Sequence, residues 1–229
     1  MPSDRTTETE TQTVDRYADL KAFIAEWHRP IEPGDGNTEG EIAEAEARLR
    51  FRLPEALREL YALIGKRDDI TSEHNRLLRL KDLTIAGSWM IIWEENQNVY
   101  VCAIKGSNIA LPNPLAWVLT DGEVFPQDKP APITQTALLM VAYETFLAGR
   151  FCGLGEVENE QELNALRRQA VSSPHPVLMQ HEIFHLDTCL VCFAGKNAVW
   201  LAAKNAVDFD AAIEKWQQIK WSYTSLEDE

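Results

Sequence analysis

The chain has 229 residues, 45% of them hydrophobic and 25% charged, which is enough apolar content for a real core and an ordinary share of charge. Its 36 acids against 22 bases leave a formal charge of −14, which argues against a general nucleic-acid binder, since that needs a basic footprint. An acidic surface instead suits a basic protein partner through complementary potentials, and it also serves plain solubility.

The length admits one large domain or a domain with an appendage. Residues 1–15 hold Asp, Glu, Thr and Ser without an apolar run, so no secretory signal is expected. No window approaches the roughly 18 apolar residues of a membrane span. Cys102, Cys152, Cys189 and Cys192 sit mainly in apolar, strand-like surroundings, where a free thiol behaves as a small hydrophobe. These features point to the cytoplasm. Residues 1–15 and Glu227-Asp228-Glu229 read as disordered tails.

Thr38 and Glu41 have capping-box spacing, and Ile42, Ala45 and Leu49 then form a narrow apolar stripe, predicting a helix over 40–50. Pro54 cannot continue that helix and disfavours helical geometry at Leu53, but it suits the first turn of a second helix over 54–64. Leu57, Leu60, Tyr61 and Ile64 make the second stripe, and Gly65 is placed to end it in a left-handed conformation. Fully buried, each large side chain here contributes roughly 1.5–3 kcal/mol, so both helices need a sheet or another helix to cover.

Trp89–Trp93 and Val99–Ile104 are β-rich runs joined by the polar turn Glu94-Glu95-Asn96-Gln97-Asn98, which predicts a hairpin. Alternation along the first run puts Trp89, Ile91 and Trp93 on one face. A third run begins after the Asn113-Pro114 break, and Asp121-Gly122 is a type I′ turn signal between Val118-Leu119 and Val124-Phe125. Thr134 or Thr136 can cap a further helix with Leu138, Leu139, Ala142, Phe146 and Leu147 on its apolar face, ending at Gly149.

In this order the elements resemble the SUKH superfamily, which includes a fungal cell-wall synthesis regulator and many bacterial toxin-immunity proteins. The matching features are the acidic helix before Leu53-Pro54-Glu55, the helix through Tyr61 and the Trp93-Glu94-Glu95-Asn96-Gln97 hairpin. The Asn113-Pro114…Trp117 break and the helix carrying Phe146-Leu147 also correspond. The resemblance spans residues 16–150 and departs at Gly65-Lys66-Arg67-Asp68, where such proteins often carry an Asn-Gly or similar turn. It implies an α+β domain with helices packed on a mixed, twisted β-sheet.

Residues 151–229 follow as a C-terminal α-β-β-β-α extension packed on the first domain, since about 75 residues bury little core alone. Gly153-Leu154-Gly155 reads as the boundary. Asn159 with Glu162 starts a helix through Leu163, Leu166 and Ala170. Val177–Phe184, Cys189–Phe193 and Val199–Leu201 read as strands, and Asp208 as the cap of a last helix with Phe209, Ala212, Ile213 and Trp216.

His181-Glu182-Ile183-Phe184-His185 spells H-E-x-x-H, which serves zinc when a helix places both imidazoles on one face with Glu as base. Cys189 and Cys192 extend the series of soft ligands, and Asp208, Asp210 or Glu214 could complete it only in a suitable fold. On a strand, however, the two histidines stand roughly 13 Å apart and cannot share one ion. Leu190 and Val191 between the cysteines favour a buried strand over a redox or zinc motif. No phosphate loop, dinucleotide glycine fingerprint or nucleophile elbow is present in the sequence. The expected chain is therefore not an enzyme and carries no metal or cofactor.

The leading expectation is a non-enzymatic immunity protein that binds and neutralises a cognate basic toxin, plausibly a nuclease or other nucleic-acid-modifying enzyme. The class follows from the resemblance, and the charge agrees with it independently. An intracellular scaffold or regulator is the alternative, and a zinc metallopeptidase is less favoured. The expected partner-binding residues are Trp93, Glu94, Glu95 and Gln97 at the hairpin tip, with Asp121 and Glu123 extending the acidic edge, against the alternative that Trp93 points into the core and the acids only solvate a turn.

Overall fold

A computed structural model describes residues 15–125, 129–172 and 181–225. The predicted tails, and the Val177–Gln180 part of a predicted strand, lie outside these residues apart from Asp15. In chain order the first half contains α1 (Ala18–Trp27), α2 (Glu39–Leu49), α3 (Glu55–Ile64), α4 (Asp68–Thr71), β1 (Asn75–Leu77), β2 (Thr84–Ala86), β3 (Trp89–Glu95) and β4 (Val101–Lys105). Next come β5 (Leu115–Thr120), β6 (Glu123–Val124), β7 (Ala131–Pro132), α5 (Ile133–Leu147), β8 (Phe151–Glu156) and α6 (Glu160–Arg167). The chain continues with β9 (Val171–Ser172), β10 (Glu182–Leu186), β11 (Cys189–Ala194), β12 (Ala198–Ala203), α7 (Ala206–Lys215) and β13 (Lys220–Thr224).

The architecture is α+β with two antiparallel sheets. The first has the order β1-β3-β4-β5-β6, with β2 also on β3 and β7 also on β5. The second runs β13-β8-β12-β11-β10-β9. The expected mixed sheet is not formed, because tight turns such as Asp121-Gly122 join neighbouring strands, and such turns can connect only antiparallel pairs.

The helical hairpin forms as its local chemistry dictates. Thr38 accepts from the Glu41 N–H at 3.2 Å while the Glu41 carboxylate accepts from the Thr38 N–H, completing the capping box. The left-handed residue is Arg50, at the end of α2, and not Gly65, which has φ −64°. Gly65 is needed for a different reason: a Cβ there would lie 2.0 Å from Asn37 Oδ1. Leu53, Leu57, Leu60, Tyr61, Ile91 and Phe146 are buried, whereas Leu49 and Val101 are half-buried at the margin.

Between the two sheets lies α5. Its sequence is apolar on every side, and all residues from Thr136 to Phe146 are buried, so the single apolar face expected from spacing is too narrow. On one side it meets α1, α3 and α4, and on the other β8 and β12. Asn113 caps it from outside, accepting from the Thr134 N–H at 3.4 Å and donating to the Thr134 hydroxyl at 3.0 Å. Trp200 of β12 packs edge-on against Tyr143 and Phe146, with ring centroids 5.8 and 6.2 Å apart.

Two buried polar clusters fix the loops around this helix. The Glu144 carboxylate accepts from the N–H groups of Glu73, His74 and Asn75 at 2.9, 2.9 and 2.6 Å, and from the Asn75 amide at 3.2 Å. Arg67, whose side chain is fully buried, reaches Asp35 at 3.3 Å, Asp69 at 2.7 Å and the Arg29 carbonyl. The Arg29 guanidinium bonded to Asp35 holds that carboxyl down to about 2.

The second sheet has two buried faces. Cys192, Leu190, Ile183 and Ala202 face α5, whereas Cys189, Val191, Phe193 and Leu201 face the core under α6 and α7. Gly153-Leu154-Gly155 is not a linker but the middle of β8, hydrogen-bonded to β12 and β13. The extension is thus richer than α-β-β-β-α: β8, β9 and β13 flank the expected strands. The last helix is capped by Asn205, whose side chain accepts from the Asp208 N–H at 3.0 Å, so Asp208 is the recipient of a cap and not the cap itself. Asn159 caps α6 as its spacing predicts.

Two stability predictions follow from this packing. Glu144→Ala leaves buried N–H donors without an acceptor and should lower stability by about 3 kcal/mol, read as a shift in the urea midpoint. A loss below about 1 kcal/mol would show that water replaces the carboxylate. At Gly155 a Cβ would stand 2.5 Å from Ile219 Cγ2 and 3.0 Å from the Lys220 carbonyl oxygen. Gly155→Ala should therefore cost about 1–3 kcal/mol by overpacking, and an unchanged thermal midpoint would contradict that close approach.

Candidate interaction surface

The strand register brings two turns to one end of the first sheet. Arg76, Glu94, Val101, Leu119 and Val124 align across β1, β3, β4, β5 and β6. The β3–β4 turn and the Asp121-Gly122 turn therefore emerge side by side. Positive φ values at Asp121 and Gly122, 52° and 80°, give the type I′ geometry expected of Asp-Gly.

The structure divides the six expected contact residues. Trp93 is 1% exposed and aligns with Leu77, Cys102 and Val118 on the inner face. A β-bulge between Ile91 and Trp93 breaks simple alternation, so Trp93 turns into the core while Ile91 aligns with Ala103 on the other face. Glu95 is also buried, at 5% exposure: its carboxylate accepts from the Gln97 and Val99 N–H groups at 2.9 and 3.0 Å and stiffens the turn. Neither residue faces a partner. Glu94 is half-buried and bonded to Arg76 at 2.6 Å.

Gln97, Asp121 and Glu123 are exposed, and Val99 beside them is 57% exposed. Among the described residues neither Asp121 nor Glu123 has an ion-pair partner. The end of the sheet thus presents two uncompensated carboxylates, an amide and an apolar side chain on turns held by backbone and Glu95 bonds. By sequence Val99 reads as the start of a strand, whereas β4 begins at Val101 and leaves Val99 exposed in the turn.

The H-E-x-x-H segment lies on the bridge and strand around β10, paired with β11, so its histidines are not brought together as on a helix. His181 Nδ1 is hydrogen-bonded to the Tyr143 hydroxyl, and its ring packs 4.8 Å from that of Trp200. Glu182 pairs with Arg167 at 2.8 Å. Cys189 and Cys192 point to opposite cores, with burial pushing the Cys189 thiol up to about 11 and the Cys192 thiol higher still. Among the described residues no group of three or more His, Cys, Asp or Glu side chains could hold a metal ion.

The surface also carries grooves, two of which flank α2 and the hinge that follows it. One, of about 730 Å³, runs between the Phe51–Glu55 hinge and residues 106–112, with Ile109 and Leu111 on its apolar wall. The other, of about 900 Å³, lies between α2 and the Arg79–Lys81 loop. No helix among the described residues is long and apolar enough to cross a membrane. No family model, curated protein sequence or solved structure matches the chain.

The histidines against α5 make stability depend on pH. His28 donates through Nε2 to the Thr145 hydroxyl at 2.8 Å, and burial lowers it to about 4, with Asp69 opposing and Arg67 reinforcing the shift. Burial lowers His181 likewise to about 4. Both are depressed below the unfolded value of about 6.5, so the unfolded chain binds more protons between these limits. Stability is full above about pH 6.5 and falls as pH drops toward 4, by about 3 kcal/mol per histidine. The depressed carboxyls of Asp35 and Glu41, both near 2, act only at lower pH. Urea unfolding from pH 7.5 to 4.5 should show the decline, and His181→Phe should flatten it; an equal slope in that variant would remove His181 from the account.

Proposed function

We propose that the protein is a non-enzymatic immunity protein that binds a basic protein toxin and neutralises it. The observation that carries this reading is the pair of adjacent, stiffened turns presenting Asp121 and Glu123, without ionic partners among the described residues, beside Gln97 and Val99. In a chain of net charge −14, such a surface attracts a cationic cleft by long-range steering and offers carboxylates to its Arg or Lys side chains. Exposed Val99 supplies the apolar contact that charge alone lacks. A toxin acting on nucleic acid must itself bind a polyanion, so its active cleft is basic and complementary. The SUKH-like order of elements in residues 16–150 supports the same class.

The test is protection against, and binding of, any candidate toxin encoded by a gene adjacent to this one. Wild type should restore growth of cells producing that toxin and bind it in solution. Asp121→Lys/Glu123→Lys should weaken binding tenfold or more, about 1.4 kcal/mol, mostly through a slower on-rate at low salt. Unchanged affinity and on-rate in the folded double variant would exclude this end of the sheet, and absence of protection by wild type would overturn the immunity reading.

A further inference from the structure

We propose that the groove between α2 and the Arg79–Lys81 loop binds a small, multiply charged oxyanion. One face of α2 forms a wall: Glu41, Glu44, Ala45 and Arg48 follow helical spacing along it. Lys66, Arg79 and Lys81 come from the opposite side. Four bases against two acids thus line this groove in a chain where acids outnumber bases 36 to 22. Remote acids of the surface are screened beyond about 8 Å at physiological salt, so the local excess of cations decides what enters.

The state of each cation sharpens the case. Lys66 is compensated by Glu41 at 2.9 Å, and Arg79 by Asp68. Arg48 and Lys81 have no carboxylate partner among the described residues. Arg48 is nevertheless held in place: its Nη2 donates to the carbonyls of Leu80 and Leu83 at 2.8 and 2.9 Å, tying the helix to the loop. A guanidinium carries five N–H donors, and those on Nε and Nη1 have no acceptor among the described residues. The positive charge is therefore positioned before any ligand arrives, which reduces the ordering cost of binding. Ala45 and Leu80 add apolar surface, and about 900 Å³ falls within the range of small-molecule sites. Phosphate and carboxylate groups both match this donor set, as acceptor-only anions of tetrahedral or planar shape.

Titration calorimetry of the full chain with pyrophosphate and, separately, citrate at constant ionic strength tests the site. Saturable binding of either is expected: pyrophosphate alone identifies phosphate chemistry, citrate alone identifies carboxylate chemistry, and both together a general oxyanion site. Lys81→Glu, which removes no hydrogen bond within the fold, should weaken that binding tenfold or more, while Asp121→Lys/Glu123→Lys should leave it unchanged. Arg48→Gln should weaken it as well, with circular dichroism confirming that the variant is folded. No saturable binding of either probe, or binding unaltered in Lys81→Glu, overturns the proposal. The toxin-binding reading is untouched by either result, because its test uses Asp121 and Glu123, which do not line this groove.

Discussion

The Glu144 carboxylate is the interaction on which the rest of the molecule depends. It sits in the last turn of the most buried helix and gathers three consecutive backbone N–H groups from residues 73–75, where the chain leaves α4 and enters β1. Those N–H groups, at and just before the first residue of β1, point to the helix, and a buried donor without an acceptor costs about 1–3 kcal/mol. One side chain thereby fixes the entry of the first sheet against the central helix. Asn75, held by Glu144, in turn accepts from the Tyr100 hydroxyl on the approach to β4. The same part of the sheet carries Glu95, which stiffens the turn proposed to meet a partner.

The second sheet answers a problem that α5 creates. A helix apolar on all sides cannot face water, and the strands from β8 to β11 supply the cover that α1, α3 and α4 leave open. That sheet must then bury its other face, which α6 and α7 accomplish around Phe193, Phe209 and Trp216. Cys189 and Cys192, three residues apart on one strand, point into different cores for this reason. Gly155 lets β13 and Ile219 approach closely enough to close the layer.

Charge is organised more by pairing than by number. Around the helical hairpin, Glu39 and Glu46 share Arg58, Glu55 and Glu59 share Arg16, and Asp68 takes Arg79. Exposed pairs of this kind add little stability, but they cancel the local field. What remains among the described residues is uneven: carboxylates without ion-pair partners at the Asp121-Gly122 turn, and cations without carboxylates at Arg48 and Lys81. The proposed partners, a basic protein at one place and a small anion at the other, follow from that unevenness.

Local chemistry was readable from the residues alone. The Thr38–Glu41 box, the Leu53-Pro54 hinge, the Asn159 cap and the Asp121-Gly122 turn each depend on groups within about four positions, so spacing sufficed. Tertiary structure alone decided the bulge that sends Trp93 inward, the place of Gly155 within a strand and the buried ion network of Arg67. Each of these depends on a partner far along the chain: Cys102 and Leu77 for Trp93, Ile219 for Gly155, Asp35 for Arg67. Propensity and period describe what a segment can become, while the choice between faces, and between core and surface, is made only when a distant segment packs against it.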